Sequence, residues 1–421
     1  MHLFKDVNIR LDSKRASRLF FAFLLILYAL VCTTKNCFTA ALADIKAEEI
    51  FTFSQAAFIP AAFYIVYTPL QVFGGVLADR LGSATLILIG LVGSAAANIV
   101  IYFNSGNYYI MLFSWIFSAI VQAALWPAVF KCFSSQLWKS DRPVMLFLMS
   151  FASSGGFVVS YLLAFILPKW QDNFAASAFI LLALALLLLI FAGMLNSKFK
   201  RDEQLPEEIP VADKESPKKG NTILLFLSSG FLISLPAAIA RYMVDNSAKG
   251  FVPAMLNDCY AGLGNIGELL TILVVLCGIA GVLIVRLLLY PRLFKNEFTC
   301  TLFLLLSAIP FTVLLTFVKY ISPTLCIIAL CGLSLLLTGA SYLASCFAAR
   351  FVRYRLNGTA AGILNASYGF ALVIQYTLFS RLAESSWRAL TVLWCGLIIL
   401  SAILIALAIR PSIRFKRQIH E

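Results

Sequence analysis

Residues 75–82 read Gly75-Val76-Leu77-Ala78-Asp79-Arg80-Leu81-Gly82, and residues 281–286 read Gly281-Val282-Leu283-Ile284-Val285-Arg286. Each stretch closes an apolar run, the first at 54–78 and the second at 261–286, with an arginine where the run stops. They lie 206 residues apart (75 to 281), and the same offset carries Lys35 onto Arg241. One short match means little. Two matches at one offset, in corresponding runs, indicate a duplicated unit, and parallel repeats of this kind are typical of membrane transport folds with a site between the halves.

Outward from these stretches the chain is built of apolar runs. A helix rising 1.5 Å per residue needs ~20 apolar residues to cross a ~30 Å hydrocarbon core. Twelve runs qualify: 19–43, 54–78, 84–103, 108–131, 143–167 and 174–195, then 221–244, 261–286, 297–318, 323–349, 358–381 and 388–409. Between the two sets, residues 196–220 (NSKFKRDEQLPEEIPVADKESPKKG) are charged and rich in proline, which reads as a solvated linker. The expected division is therefore 1–195, 196–220 and 221–421. The fold expected is an all-α membrane protein, with twelve transmembrane helices in two pseudo-symmetric six-helix bundles. Composition agrees: 61% of the residues are hydrophobic and 13% charged, against ~45–50% and ~25% in soluble proteins. So few charges cannot cover a water-soluble surface.

The formal net charge of +13 reports topology. If the N-terminus is cytoplasmic, segments on that side hold 25 of the 33 Lys and Arg. The excess places both termini in the cytoplasm by the positive-inside rule and suits an even number of spans. The expected location is the cell (inner or plasma) membrane, with the lipid bilayer as surroundings, no nucleic-acid partner, and a monomer.

Catalytic chemistry finds little support. The two histidines, His2 and His420, stand at opposite ends of the chain, which removes a histidine metal cluster and a Ser-His-Asp hydrolase. The ten cysteines form no C-x-x-C and sit mostly in apolar runs, as small hydrophobes do. No G-x-x-x-x-G-K-[ST] loop is present. No catalytic residue, metal or cofactor is expected, and a membrane-embedded transferase would need clustered His, Asp or Asn that the sequence lacks.

Residues 75–82 resemble the signature between spans 2 and 3 of the major facilitator superfamily, G-x-L-A-D-R-x-G-R-R/K, with Ser83 and Ala84 where basic residues are usual. The resemblance covers the whole chain through span number, repeat and linker. It implies alternating access by two rocking bundles, with Gly75, Asp79, Arg80 and Gly82 in a gating loop. A narrower resemblance is to the organophosphate:phosphate antiporters. Trp126-Pro127 with Lys131, then Trp138 and Asp141-Arg142, is similar to that family's span 4 pattern. Gly358-Thr359-Ala360-Ala361-Gly362 is similar to its span 11 opening, and Arg241-Tyr242 with Pro253 resembles its span 7 arginine. That family holds phosphate with one arginine from span 1 and one from span 7. Here Thr34-Lys35-Asn36 lacks the first, and a lysine is a point charge that cannot form the bidentate fork.

Spans 1, 4, 7 and 10 line the cavity in this superfamily, and these runs carry polar stripes at helical spacing. Tyr28, Lys35 and Thr39 share a face of span 1; Ser118, Gln122 and Trp126 a face of span 4; Ser234 and Arg241 a face of span 7; Ser334, Thr338, Ser341, Tyr342 and Ser345 mark span 10. The expected substrate contacts are Lys35, Arg241, Tyr28, Gln122, Trp126, Thr338, Ser341 and Tyr342. The expected cargo is a small organic anion, a phosphorylated metabolite exchanged for phosphate if the narrower resemblance holds. Three alternatives stay open for these residues: Lys35 snorkelling to the outer interface, Arg241 pairing with Asp245 at i+4, and the span 10 stripe serving helix packing. A cation-coupled symporter or a drug exporter of the same fold is the rival function. Its mark would be a carboxylate on the cavity face.

Overall fold

The computed structural model describes residues 14–81, 83–136, 142–149, 151–196, 222–260, 266–354 and 356–420. All regular structure among them is helical. The first half comprises α1 (Lys14–Ala47), α2 (Phe53–Leu81), α3 (Ser83–Phe103), α4 (Tyr108–Gln122), α5 (Leu125–Gln136), α6 (Arg142–Met149), α7 (Ala152–Ile166) and α8 (Asp172–Asn196). The second comprises α9 (Thr222–Ser228), α10 (Phe231–Gly250), α11 (Val252–Cys259), α12 (Ile266–Ile284), α13 (Glu297–Leu315), α14 (Pro323–Ala349), α15 (Asn357–Ile374), α16 (Ser380–Ser385) and α17 (Trp387–His420).

The helix ends follow local chemistry. Asn107 and Asn296 cap α4 and α13, the latter accepting from the Phe298 amide at 2.8 Å. Ser322 caps α14, with Pro323 in the first turn where no amide is needed. Span 4 breaks at Ala123–Ala124 just ahead of Pro127, which then sits in the first turn of α5. Gly230, at φ 81°, breaks span 7 between α9 and α10, a left-handed conformation that glycine adopts without strain.

Eleven helices among the described residues are long and apolar enough to cross a membrane. The seventh run differs from the other eleven because of its charges. Its main piece, α10, has 20 residues, enough for ~30 Å, and carries Arg241, Asp245 and Lys249. It continues six residues past the expected end at 244. Lys249, which lies beyond that expected end, is therefore a buried helical residue.

The halves repeat one packing scheme. In the first, α2 packs on α4 and α5, α1 on α7, and α3 on α4 and α8; in the second, α12 packs on α14, α10 on α15, and α13 on α14 and α17. Spans 2–4, 1–5, 3–4 and 3–6 thus correspond to 8–10, 7–11, 9–10 and 9–12. The halves meet along two symmetry-related seams, α7 on α12 and α2 on α15.

Within each half glycines set the separation. A Cβ at Gly156 would run into the Ala29 carbonyl of α1, and a Cβ at Gly281 into the Leu335 carbonyl of α14. The glycine of the second repeat stretch therefore serves packing of span 8 on span 10. Gly75, Asp79 and Arg80 lie within α2, where their side chains are not described, and Gly82 lies outside the described residues. So does the linker from 197 onward.

The end of the bundle bearing the termini also holds a polar knot inside the second half. Arg350 Nε donates to Glu297 Oε1 at 2.5 Å, and Tyr290 Oη donates to the same oxygen at 2.6 Å. Burial lowers the proton affinity of the Arg350 guanidinium, and the Glu297 carboxylate more than offsets this, so the net shift is upward. Overpacking a tight helix seam costs ~1–3 kcal/mol. Gly281→Val should accordingly lower the melting temperature of the purified protein by several degrees. Gly358→Ala, where a new Cβ meets open space, should leave it within a degree.

Candidate functional site

The two ends of the bundle differ. At the end opposite the termini the halves touch through polar contacts. Lys46 of α1 pairs with Asp258 of α11, and Trp387 Nε1 donates to the same carboxylate at 2.7 Å. The Ser54 amide and hydroxyl both donate to Glu384. Deeper in, Thr39 Oγ1 and Tyr376 Oη share a hydrogen bond of 2.8 Å, and Tyr161 Oη donates to the Gly250 carbonyl at 3.1 Å. This end is closed.

Toward the other end two connected cavities open, of about 600 and 680 Å³, within the size range of small-molecule sites. They share Ser345, Ala349 and Tyr368. The first lies against Gln71, Trp126, Phe130 and Asn365, the second against Phe147, Arg286, Thr338, Ser341 and Tyr342.

Lys35 is half-buried and turned toward α2. Its ammonium donates to Tyr67 Oη at 3.1 Å and lies 4.5 Å from the Tyr67 ring centre and 5.8 Å from that of Tyr28. Among the described residues no carboxylate lies within ion-pair distance of it. Tyr67 leads on to the cavity: Gln71 Nε2 donates to its hydroxyl at 3.3 Å, and Asn365 Nδ2 of the second half donates to Gln71 Oε1 at 2.8 Å. The snorkelling alternative does not describe this lysine.

Arg241 is 2% exposed. Nη1 donates to the Leu337 carbonyl at 2.9 Å and to Ser341 Oγ; Nη2 donates to Tyr368 Oη at 3.2 Å. Arg241 thus reaches the cavity through Ser341 and Tyr368, which line it. The i+4 pairing with Asp245 does not form. Asp245 instead binds Lys249 at 2.7 Å, the next i+4 partner, and accepts from Thr338 Oγ1 at 3.2 Å. Lys249 also donates to Thr338 at 2.7 Å. Charged groups from three successive turns of α10 therefore dock on Leu337, Thr338 and Ser341 of α14.

Five of the remaining expected contacts divide as follows. Tyr28 packs under Trp126, ring centres 4.5 Å apart, and Trp126 faces the cavity. Thr338 and Ser341 line the larger cavity while holding α10. Tyr342 stands at its mouth, edge-on to Phe147 at 6.0 Å. Gln122 is a correction: it is 1% exposed, donates to Ser118 at 2.9 Å and lines neither cavity, because its face of α4 turns into the first-half core. The span 10 stripe splits in the same way. Ser334 is fully buried against Gly278 of α12, the packing role, while Ser341 and Ser345 face the cavity.

Sequence reading missed Tyr67, Gln71, Asn365, Tyr368 and the Asp245–Lys249 pair. Tyr64, Tyr67 and Gln71 share one face of span 2 at i, i+3 and i+7, and Asn365 and Tyr368 are i, i+3 on span 11; spans 2 and 11 were outside the set examined for polar stripes. It also missed Arg286 as a site cation. Its guanidinium lies 3.5 Å from the Phe147 ring centre, across the two halves.

The sequence profile of the Major Facilitator Superfamily matches residues 24–374. No curated protein sequence matches the chain. Among solved structures, the chain is similar to a bacterial homologue of the human lysosomal transporter Spinster. In the inward-facing, unoccupied form of that protein the TM-score is 0.64 at 13% identity, covering 96% of this chain and 98% of that one. In its inward-facing, occupied form the TM-score is 0.63 at 12% identity, covering 95% and 97%. At such identity the likeness is one of fold.

Removing one partner of a buried ion pair costs ~3–5 kcal/mol because a bare charge remains, whereas replacing both is often nearly neutral. Lys249→Met should therefore sharply reduce the folded yield in membranes, and Asp245→Asn with Lys249→Met should restore it. Size-exclusion profiles of the two variants check this.

Proposed function

The chain belongs to the Major Facilitator Superfamily, and we propose that it moves a small organic anion across the membrane by alternating access. The carrying observation is Lys35, a charge at membrane depth with a single hydrogen-bond partner, the Tyr67 hydroxyl, and no carboxylate beside it among the described residues. Insertion scales put the cost of such a charge at ~2.5–3.5 kcal/mol. Asp245 and Lys249 answer each other, whereas Lys35 and Arg241, which stand behind the lining residues of the two cavities, add positive potential to a low-dielectric space, which attracts an anion.

In this reading the end bearing the termini is cytoplasmic, the protein lies in the cell membrane as a monomer, and bundles 1–195 and 221–421 rock about the site on the linker 196–220. Gly75, Asp79 and Arg80, which the structure places in the last turns of α2 and not in a loop, would act with Gly82 as the gate. The finer reading is exchange of a phosphorylated metabolite for phosphate. It rests on Arg241 and on the Trp126-Pro127 and Gly358–Gly362 stretches.

Equilibrium binding of inorganic phosphate and of simple organic phosphates and carboxylates to the purified protein tests the anion. Lys35→Gln should weaken binding of the preferred anion at least tenfold, ~1.4 kcal/mol. Unchanged binding would remove the anion reading. Phosphate-loaded vesicles that take up a labelled organophosphate only while phosphate leaves would support exchange. The closed end gives a second test: with native cysteines replaced, Lys46→Cys with Asp258→Cys should cross-link and arrest flux, and a reductant should restore it.

A further inference from the structure

The wall of the smaller cavity has a composition that the charges do not explain. Trp126 of α5 stands on one side, backed by the Tyr28 ring at 4.5 Å. Tyr368 of α15 belongs to the other half, stacked on Tyr242 with ring centres 4.3 Å apart and planes 17° from parallel. Each of these rings is thus held by a second ring behind it, so both are rigid platforms before anything binds. Arg241 fixes the Tyr368 hydroxyl in addition.

Along the same cavity, N-terminal to Tyr368, α15 presents Gly358, Ala361 and Gly362. A Cβ at Gly358 or Gly362 would meet nothing within 4 Å, so these glycines leave open space. Helix approach does not account for them, unlike Gly281. Among the described residues Leu364 is the one branched aliphatic side chain along this wall. A long alkyl chain would need a continuous aliphatic groove, which rings and small residues do not supply.

We propose that the transported anion carries a flat unsaturated ring, which enters between the Trp126 and Tyr368 platforms with its acidic group directed toward Lys35. This deepens the anion reading above and rests on it. Aromatic pairs favour offset-stacked or edge-to-face contact with ring centres ~4.5–7 Å apart, and the platforms sit at the short end of such contact with their backing rings, at 4.5 and 4.3 Å. The acidic group would take the two ammonium protons of Lys35 that Tyr67 leaves free, and the Gln71–Asn365 pair would meet polar substituents on the ring.

The experiment compares probes of equal headgroup. Phenyl phosphate is titrated against glycerol 3-phosphate, and benzoate against lactate, by calorimetry on the purified full chain, with decyl phosphate as a chain-bearing control. The ring-bearing member of at least one pair should bind at least tenfold more tightly and more tightly than decyl phosphate. Trp126→Leu should bring the pair to within about twofold, while Trp126→Phe keeps most of the preference. Gly362→Leu, whose Cβ meets nothing within 4 Å, should take up the open space and abolish ring preference while the smaller probe still binds, which shows that the variant is folded. Equal binding within both pairs, or tighter binding of decyl phosphate, overturns the ring proposal and leaves the anion reading standing. If no probe binds, the anion reading falls and takes this one with it.

Discussion

A charged group carried into the apolar depth of the bundle must be answered by another group nearby, and most of the site follows from how each is answered. Asp245 and Lys249 neutralise each other one turn apart and share Thr338 of α14. Arg241 is answered by dipoles, a carbonyl and two hydroxyls, which take both Nη1 protons and one Nη2 proton without cancelling its charge. Lys35 has one hydroxyl and the faces of two rings. The ranking matters: a neutral pair fixes helices, a solvated-by-protein arginine sets potential, and the least answered cation is left for a ligand. The two cations also stay with their own halves, Lys35 on α2 and Arg241 on α14 and α15. A molecule bridging them would touch both moving bodies, which is how a ligand biases a two-state equilibrium.

Much of the fold was legible because its signals are long. Apolar runs of about twenty residues, cations at alternate turns and the 206-residue offset need no tertiary information. The seventh span was the exception. There the apolar pattern fades at Val244, and only the mutual neutralisation of Asp245 and Lys249 lets the helix run on to Gly250. A hydropathy reading sees two charges; the i+4 pair is visible once the helix is assumed.

The site was legible in its cations and in half of its polar stripes. Lys35, Arg241, Trp126, Thr338, Ser341 and Tyr342 were named from helical spacing, and the structure brings Arg241 and Ser341 into contact and sets Thr338 beside them on α14. What spacing could not give is which of two polar faces of a helix meets water. Gln122 and Ser334 sit at the same period as Trp126 and Ser341, yet turn into Ser118 and Gly278. Nor could the offset between cations reveal what each one faces, so Tyr67 and Tyr368, supplied by spans 2 and 11, stayed hidden.

The strengths of the contacts explain why such a molecule can move as two bodies. Inside each half the seams are set by glycines that admit no side chain, so any relative shift of α12 on α14 or α7 on α1 meets backbone at once. Across the closed end the rim contacts are of another kind. Lys46 and Asp258 are each about a third exposed, and an exposed ion pair contributes only ~0–1 kcal/mol. The deeper hydrogen bonds, Thr39 to Tyr376 and Tyr161 to the Gly250 carbonyl, contribute ~0.5–1.5 kcal/mol each. Opening this end breaks these weak polar contacts and parts the Phe53–Phe251, Phe53–Trp387 and Tyr64–Tyr376 ring contacts, while distorting either half would create overlaps that nothing replaces. Rocking of intact bundles is the lower-energy motion.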